Sequence, residues 1–175
     1  MRLADSYVVL ARYNRWMNEK LYAVAVELAD ADRKRDQGAF FGSLHGTLNH
    51  LLFGDRIWLR RFGVDDAGEL RTGSAAYGHD LYDDFAELRR ERVKTDLVFD
   101  RWAKSLTDEA LAAPLRYSNQ SGKSFEHPLH YAAQHLFNHQ THHRGQVTTL
   151  LMQLGRDPGV TDMIALLRQP DWATT

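Results

Sequence analysis

Apolar residues recur at steps of three and four along four long stretches of the chain, which is the spacing of a helix that buries one face. The pattern predicts helices over about Ala4–Leu28, Ser43–Gly63, Leu81–Ser105 and Pro128–Leu154. Ser43 is a typical N-cap residue, because its hydroxyl can accept a hydrogen bond from a free backbone N–H. We therefore expect four long amphipathic helices.

The segments between these stretches predict smaller elements. Pro114–Phe125 has the composition of a short hairpin, Val64–Asp80 that of a loop, and Thr161–Leu167 that of a short C-terminal helix. Four long helices with almost no strand signal favour an all-α fold, namely an antiparallel four-helix bundle in a single domain over residues 1–175. In the third helix we expect the buried stripe to include Val93 and Leu97.

Composition and charge exclude several function classes. The chain has no cysteine, which removes disulfide frameworks, thiolate metal sites and cysteine nucleophiles. Its formal charge of −1, with acids and bases mixed, gives no basic footprint for nucleic acid. The sequence shows no signal peptide and no apolar stretch near the ~18 residues of a membrane span. We expect a cytoplasmic protein that binds neither nucleic acid nor membrane.

Histidine supplies the candidate chemistry. There are nine histidines, and four of them fall within nine residues, at positions 135, 139, 142 and 143. Residues four apart on a helix project from one face, about 6 Å apart along the axis, so His139 and His143 can touch one ion. Both align with the apolar stripe, whereas His142 aligns with polar residues and should be exposed. His135 lies at the edge of the stripe and stays ambiguous.

Two interpretations of the pair compete. A histidine on an apolar face is often a hydrogen-bonded core residue, and an exposed histidine-rich patch is also possible. Burying two imidazoles costs several kcal/mol unless each finds a partner, and a shared metal ion would satisfy both. A third ligand must come from another helix, where His45 and His50 are the candidates. Gly54, one turn after His50, would leave room beside the His50 imidazole.

These segments together resemble the DinB family. His135–Val147 is similar to the N-H-x-x-H-H-R-G-Q signature of that family, Leu48–Trp58 to its first-ligand helix, Tyr13–Asn18 to its N-terminal helix and Gly159–Asp162 to its C-terminal motif. The resemblance implies a DinB/YfiT-like four-helix bundle, often dimeric, with a three-histidine metal site. Carried over by position, the ligands would be His50, His139 and His143.

Three neutral imidazoles would leave a divalent ion, with zinc or nickel favoured, at least one open position. The resemblance favours a thiol-dependent S-transferase that uses a low-molecular-weight thiol and a small-molecule substrate. Hydrolysis of a small amide or ester, or a non-catalytic metal-binding stress-response homodimer, is the alternative.

Four other residues near the motifs receive expectations of their own. Asp55 is expected at the surface or in support of the ligands, and Asp162 as a helix cap. Arg144 is expected to bind an anionic substrate or to form a surface salt bridge, and Gly145 to permit close helix packing.

Overall fold

Four long helices dominate the computed structural model, which describes residues 2–70, 77–119 and 121–172. In chain order the elements are α1 (Leu3–Ala25), α2 (Asp30–Lys34), α3 (Leu44–Arg61), α4 (Phe85–Ser105), α5 (Asp108–Ala112), β1 (Pro114–Ser118), β2 (Ser124–Pro128), α6 (Leu129–Gln153) and α7 (Met163–Leu167). The fold is mostly helical with one two-stranded sheet, as predicted. The short helices α2 and α5 were not predicted, because a five-residue helix is too short to show a periodic stripe.

The long helices pack around two hydrophobic clusters. Helix α1 contacts α4 and α6, and α3 contacts the same two helices. One cluster includes Leu21, Leu48 and Leu151, and the other includes Phe99 and Leu136. Burial of such side chains is worth about 1.5–3 kcal/mol each, so these clusters fix how α3 lies against α6. This α3–α6 contact positions the candidate site.

Helix ends follow their capping residues. Ser43 caps α3 as predicted, with its hydroxyl accepting a hydrogen bond from the Gly46 N–H at 3.0 Å. Asp84 caps α4 through the Glu87 N–H at 2.6 Å, so α4 begins at Phe85 rather than at Leu81. Helix α1 ends at Ala25, three residues before the predicted Leu28.

The predicted hairpin is confirmed and is slightly longer than expected. β1 and β2 pair antiparallel, from Pro114 opposite Pro128 to Ser118 opposite Ser124. Between the strands, the Asn119 side chain accepts hydrogen bonds from the backbone of Ser121 and Lys123. Because Pro128 closes β2, α6 begins at Leu129.

The remaining predictions concern the loop and the membrane. In the predicted Val64–Asp80 loop, residues 71–76 lie outside the described residues, and the described parts hold neither helix nor strand. Among the helices of the described ranges, none combines the length and the apolar character that crossing a membrane requires.

The predicted stripe of α4 is wrong at two positions. Val93 and Leu97 are 51% and 47% exposed. The inward face of α4 instead carries charge: Arg92 donates to Asp55 Oδ2 at 2.6 Å and pairs with Asp96 Oδ1 at 2.9 Å. A periodicity search misses such a face, because buried ionic groups that satisfy one another look like a solvated surface in the sequence.

We call this set the buried polar layer; it comprises Asn14, Asn18, Asp55, Arg92, Asp96, Gln140 and Arg144. All four long helices contribute to it. Asn18 donates to Asp96 at 2.8 Å, Gln140 donates to Asp55, and Arg144 donates to Asn14. Burial raises the pKa of both Asp55 and Asp96, and the Arg92 charge opposes both shifts. Arg92 is therefore the cation on which the layer depends.

We expect Arg92→Met to lower the free energy of unfolding by about 3–5 kcal/mol, because it leaves two buried carboxylates without their cation. Urea unfolding would measure the change. The matched control is Arg90→Met on the exposed face of the same helix, which should stay within about 0.5 kcal/mol of the parent. Equal effects of the two substitutions would contradict the role of the buried polar layer.

Candidate metal centre

Three histidines meet where α3 packs on α6. His50 lies on α3, and His139 and His143 lie one turn apart on α6. Each offers one ligand nitrogen, and these three atoms all lie within 4.8 Å of one another. The Nε2 atoms of His50 and His139 are 3.0 Å apart. The structure thus brings together the three residues that the sequence singled out.

Hydrogen bonds orient two of the three rings. His50 Nδ1 donates to the backbone carbonyl of Tyr77 at 2.6 Å, and His143 Nδ1 donates to Gln146 Oε1 at 2.7 Å. Such partners fix the tautomer of a histidine and leave Nε2 with its lone pair free for a metal. His139 Nδ1 is buried and has no hydrogen-bond partner among the described residues.

The donor set fits a divalent ion. Ligand nitrogens about 2.0–2.1 Å from a tetrahedral zinc ion lie about 3.3 Å apart, close to the observed 3.0 Å between His50 and His139. Burial lowers the pKa of His50 to about 4 and that of His139 to about 3, and it also lowers the pKa of His143. All three rings are therefore neutral at neutral pH, which is the state that binds metal.

Two further residues shape the site. Phe41 stacks on His50, with ring centroids 3.8 Å apart and planes 20° apart. Phe41 belongs to no periodic stripe in the sequence, because it precedes the Ser43 cap in a turn where Gly42 has φ 75°. A Cβ added to Gly54 would lie 3.0 Å from His139 Cε1. Gly54 therefore makes room for His139, not for His50 as we expected.

One side of the site opens into a cleft of about 400 Å³. His50 and His139 line its inner end. Its wall is formed by residues of α3, α6, the hairpin turn and Tyr77, which are Phe53, Gly54, Ile57, Trp58, Arg61, Tyr77, Asn119, Ser121 and His135. We call this space the α3–α6 cleft. A small molecule in the cleft would reach two of the three candidate ligands.

The other histidines near the motifs have separate roles. His45 is buried, and its Nε2 hydrogen-bonds the Tyr82 carbonyl at 2.8 Å, so it belongs to the core. His142 is exposed, as predicted. His135 is also exposed and packs edge-on against Trp58, with centroids 5.1 Å apart, at the wall of the cleft.

Four expectations need correction. Arg144 contacts neither a substrate site nor a surface carboxylate; it is buried against Asn14, with its guanidinium 5.2 Å from the Tyr13 ring centroid. Asp55 is fully buried, which excludes the surface alternative, and it accepts a hydrogen bond from Gln140, the residue after His139, in keeping with support of the ligands. No atom lies within 4 Å of a Cβ built on Gly145, so this glycine does not serve close packing. Asp162 occupies the N-cap position of α7, but its side chain makes no capping hydrogen bond.

Comparison with known proteins gives a family and two similar proteins. The model of the DinB family matches residues 3–173. Protein DinB of Bacillus subtilis (strain 168) is 26% identical over 164 residues, which cover 91% of this chain and 92% of that protein. The crystal structure of a DinB-like protein from Bacillus cereus ATCC 10987 matches with a TM-score of 0.58 at 22% identity, covering 82% of this chain and 90% of that one. The structural likeness supports the fold.

We expect Gly54→Ala to weaken metal binding by about tenfold, because the new methyl group would displace the His139 ring from the position in which it shares an ion with His50 and His143. Competition with a chromophoric chelator would measure the affinity. Gly145→Ala is the matched control: it also adds a methyl group to a helix, but into open space, and should leave affinity unchanged. Equal affinities for both variants would show that Gly54 does not position His139.

Proposed function

Because the chain belongs to the DinB family, we propose that it is a metal-dependent enzyme whose His50, His139 and His143 bind one divalent ion, with zinc or nickel favoured. We propose further that it attaches a low-molecular-weight thiol, through its sulfur atom, to a small electrophile. The observation that carries the proposal is the opening of the triad into the α3–α6 cleft, where His50 and His139 are accessible to a small molecule.

A divalent ion held by three neutral imidazoles keeps its full charge and supplies a Lewis acid that lowers the pKa of a thiol or water reaching its open position. The chain's own residues prepare that position. Tyr77 and Gln146 orient two of the ligands, and Phe41 stacks on the His50 ring. The cleft wall then presents the second reactant to the same point.

The access of a small molecule to His50 and His139 through the cleft supports a catalytic ion over a purely structural one. A structural zinc site usually closes its shell with four protein ligands, whereas this cluster has three. A non-catalytic stress-response role would need no cleft leading to the ligands. We therefore rank that alternative lower.

Metal-assisted hydrolysis of a small amide or ester is the second candidate. Its support is His135, an imidazole outside the triad that lines the same cleft and is positioned to exchange protons there. No carboxylate lines the cleft among the described residues, so the cleft lining lacks the glutamate that serves as general base in zinc metalloproteases. This favours thiol transfer, in which the nucleophile needs only to lose its proton to solvent.

The remaining parts of the proposal concern the whole chain. We propose that residues 1–175 form a single domain in which the four long helices make an antiparallel four-helix bundle of the DinB/YfiT-like type. A cytoplasmic homodimer that acts on small molecules, without nucleic-acid or membrane partners, stays a prediction.

We expect the protein purified without a histidine tag to carry about one divalent ion per chain, and the triple variant His50→Ala, His139→Ala, His143→Ala to carry none. Mass spectrometry of the metal would measure both. The matched control is His142→Ala, which removes an exposed imidazole next to a ligand and should keep the metal. Equal metal content in the triple variant and the parent would reject the ligand assignment.

We expect the metal-loaded protein to accelerate attack of a small thiol on 1-chloro-2,4-dinitrobenzene. In this reaction sulfur bonds to the ring carbon, chloride leaves with the bonding electron pair, and the thiol proton passes to solvent. Absorbance of the product would follow the rate. His139→Ala should reduce the rate to the uncatalysed level. His142→Ala should keep the metal-dependent rate of the parent protein. The lack of a metal-dependent rate with every thiol tested would exclude the transferase proposal.

A further inference from the structure

The α3–α6 cleft extends along one face of α3. His50, Gly54, Trp58 and Arg61 follow at steps of four, four and three, so they share one face of the helix. Eleven residues of α-helix span about 16 Å, which separates the two ends of this row. On α6, His135 lies one turn before His139 and contacts Trp58. The cleft therefore runs from the triad, past an aromatic middle, to Arg61.

Arg61 at the far end has an unusual environment. Its guanidinium carbon lies 4.5 Å from the Trp58 ring centroid and 4.9 Å from that of Tyr117. Its hydrogen bond to the Ser118 carbonyl is long, at 3.4 Å. Burial lowers the pKa of Arg61, but an arginine keeps its charge at neutral pH.

Arg61 also differs from Arg56 of the same helix, which has a carboxylate partner, and from Arg60, which is exposed. Arg56 pairs with Glu91 at 2.5 Å, and Arg60 donates to the Gly68 carbonyl at 2.6 Å. Among the described residues, Arg61 makes no salt bridge. The residues that line the cleft in the described ranges include no aspartate or glutamate. The cleft thus holds a half-buried cation that forms no salt bridge with an aspartate or glutamate in the described part of the chain.

We propose that Arg61 binds the carboxylate of an elongated small molecule whose other end reaches the histidine triad, and so determines which substrates the cleft accepts. The inference rests on the proposed function for what happens at the triad. Arg61 suits this role because a planar guanidinium braced by two rings can offer paired N–H donors to a carboxylate. The Trp58 ring between the two ends fits an apolar or aromatic middle segment of the same molecule.

The first experiment uses metal-free protein, so that it does not depend on the triad. Calorimetry would compare 2-naphthoate with 2-naphthamide, which share a ring system and differ in charge. We expect the parent protein to prefer the carboxylate by about tenfold or more, since a hydrogen-bonded ion pair is lost with the amide. Arg61→Gln should abolish this preference, and Arg61→Lys should retain part of it. The matched control Arg60→Gln should keep the full preference.

The second experiment tests whether one molecule contacts both the triad and Arg61. Zinc-loaded protein would be titrated with 6-mercaptohexanoate and with 6-mercaptohexanol. The same titrations would be repeated with mercapto acids and mercapto alcohols of longer and shorter chains. We expect the carboxylate to be preferred only at chain lengths that let the thiol reach the triad while the carboxylate reaches Arg61. In Arg61→Gln the acid and the alcohol should bind equally well.

The outcomes separate the two proposals. Equal binding of naphthoate and naphthamide to the parent, or a preference that survives Arg61→Gln, would overturn the role of Arg61. A preference that depends on Arg61 in a protein that binds no metal would support the anion site and reject the proposed function. A variant that loses affinity by misfolding would bind naphthamide weakly as well, so the ratio of the two affinities still decides.

Discussion

The candidate metal centre depends on three neutral imidazoles that meet between two helices. Taking each ring out of water costs free energy, because its polar nitrogens must exchange water for protein partners. Tyr77 and Gln146 supply partners for one nitrogen each of His50 and His143, whereas His139 keeps a buried nitrogen without a partner among the described residues. The other nitrogen of His50 and of His143 is therefore left with a lone pair that can bind a cation.

The position of the triad depends in turn on the buried polar layer. On α6, His139 and His143 belong to the triad, and Gln140 and Arg144, each one residue later, enter the layer. On α3, Asp55 enters the layer five residues after His50. Buried ionic contacts tolerate little displacement, since removing one partner leaves an uncompensated charge. The layer thus fixes the rotation of both helices, and this rotation decides whether the three rings meet.

The sequence predicts the parts of this arrangement that repeat along one helix. The spacing of His139 and His143 places them on one face, and the apolar stripe around them predicts the direction of that face. His50 was identified by family resemblance, because its position beside the leucine stripe of α3 left its direction open. Phe41 and Tyr77 come from other segments, and nothing local indicates that they meet the site. The surface alternatives for Asp55 and Arg144 were wrong for a related reason: a charged residue indicates solvent unless its partner on another helix is known.

Helix α3 connects all of these elements because two of its faces serve different purposes. Leu48, Leu52, Asp55 and Leu59 point into the protein and hold the helix in place. Gly54, Trp58 and Arg61 line the cleft. Gly54 leaves room for His139, so a change there alters the triad itself. A change at Arg61, about 16 Å along the helix from His50, alters what the triad meets without altering how the triad is built. The separation lets one scaffold present the same three imidazoles to different small molecules, with the residues beyond Gly54 setting the length and charge that each molecule must have.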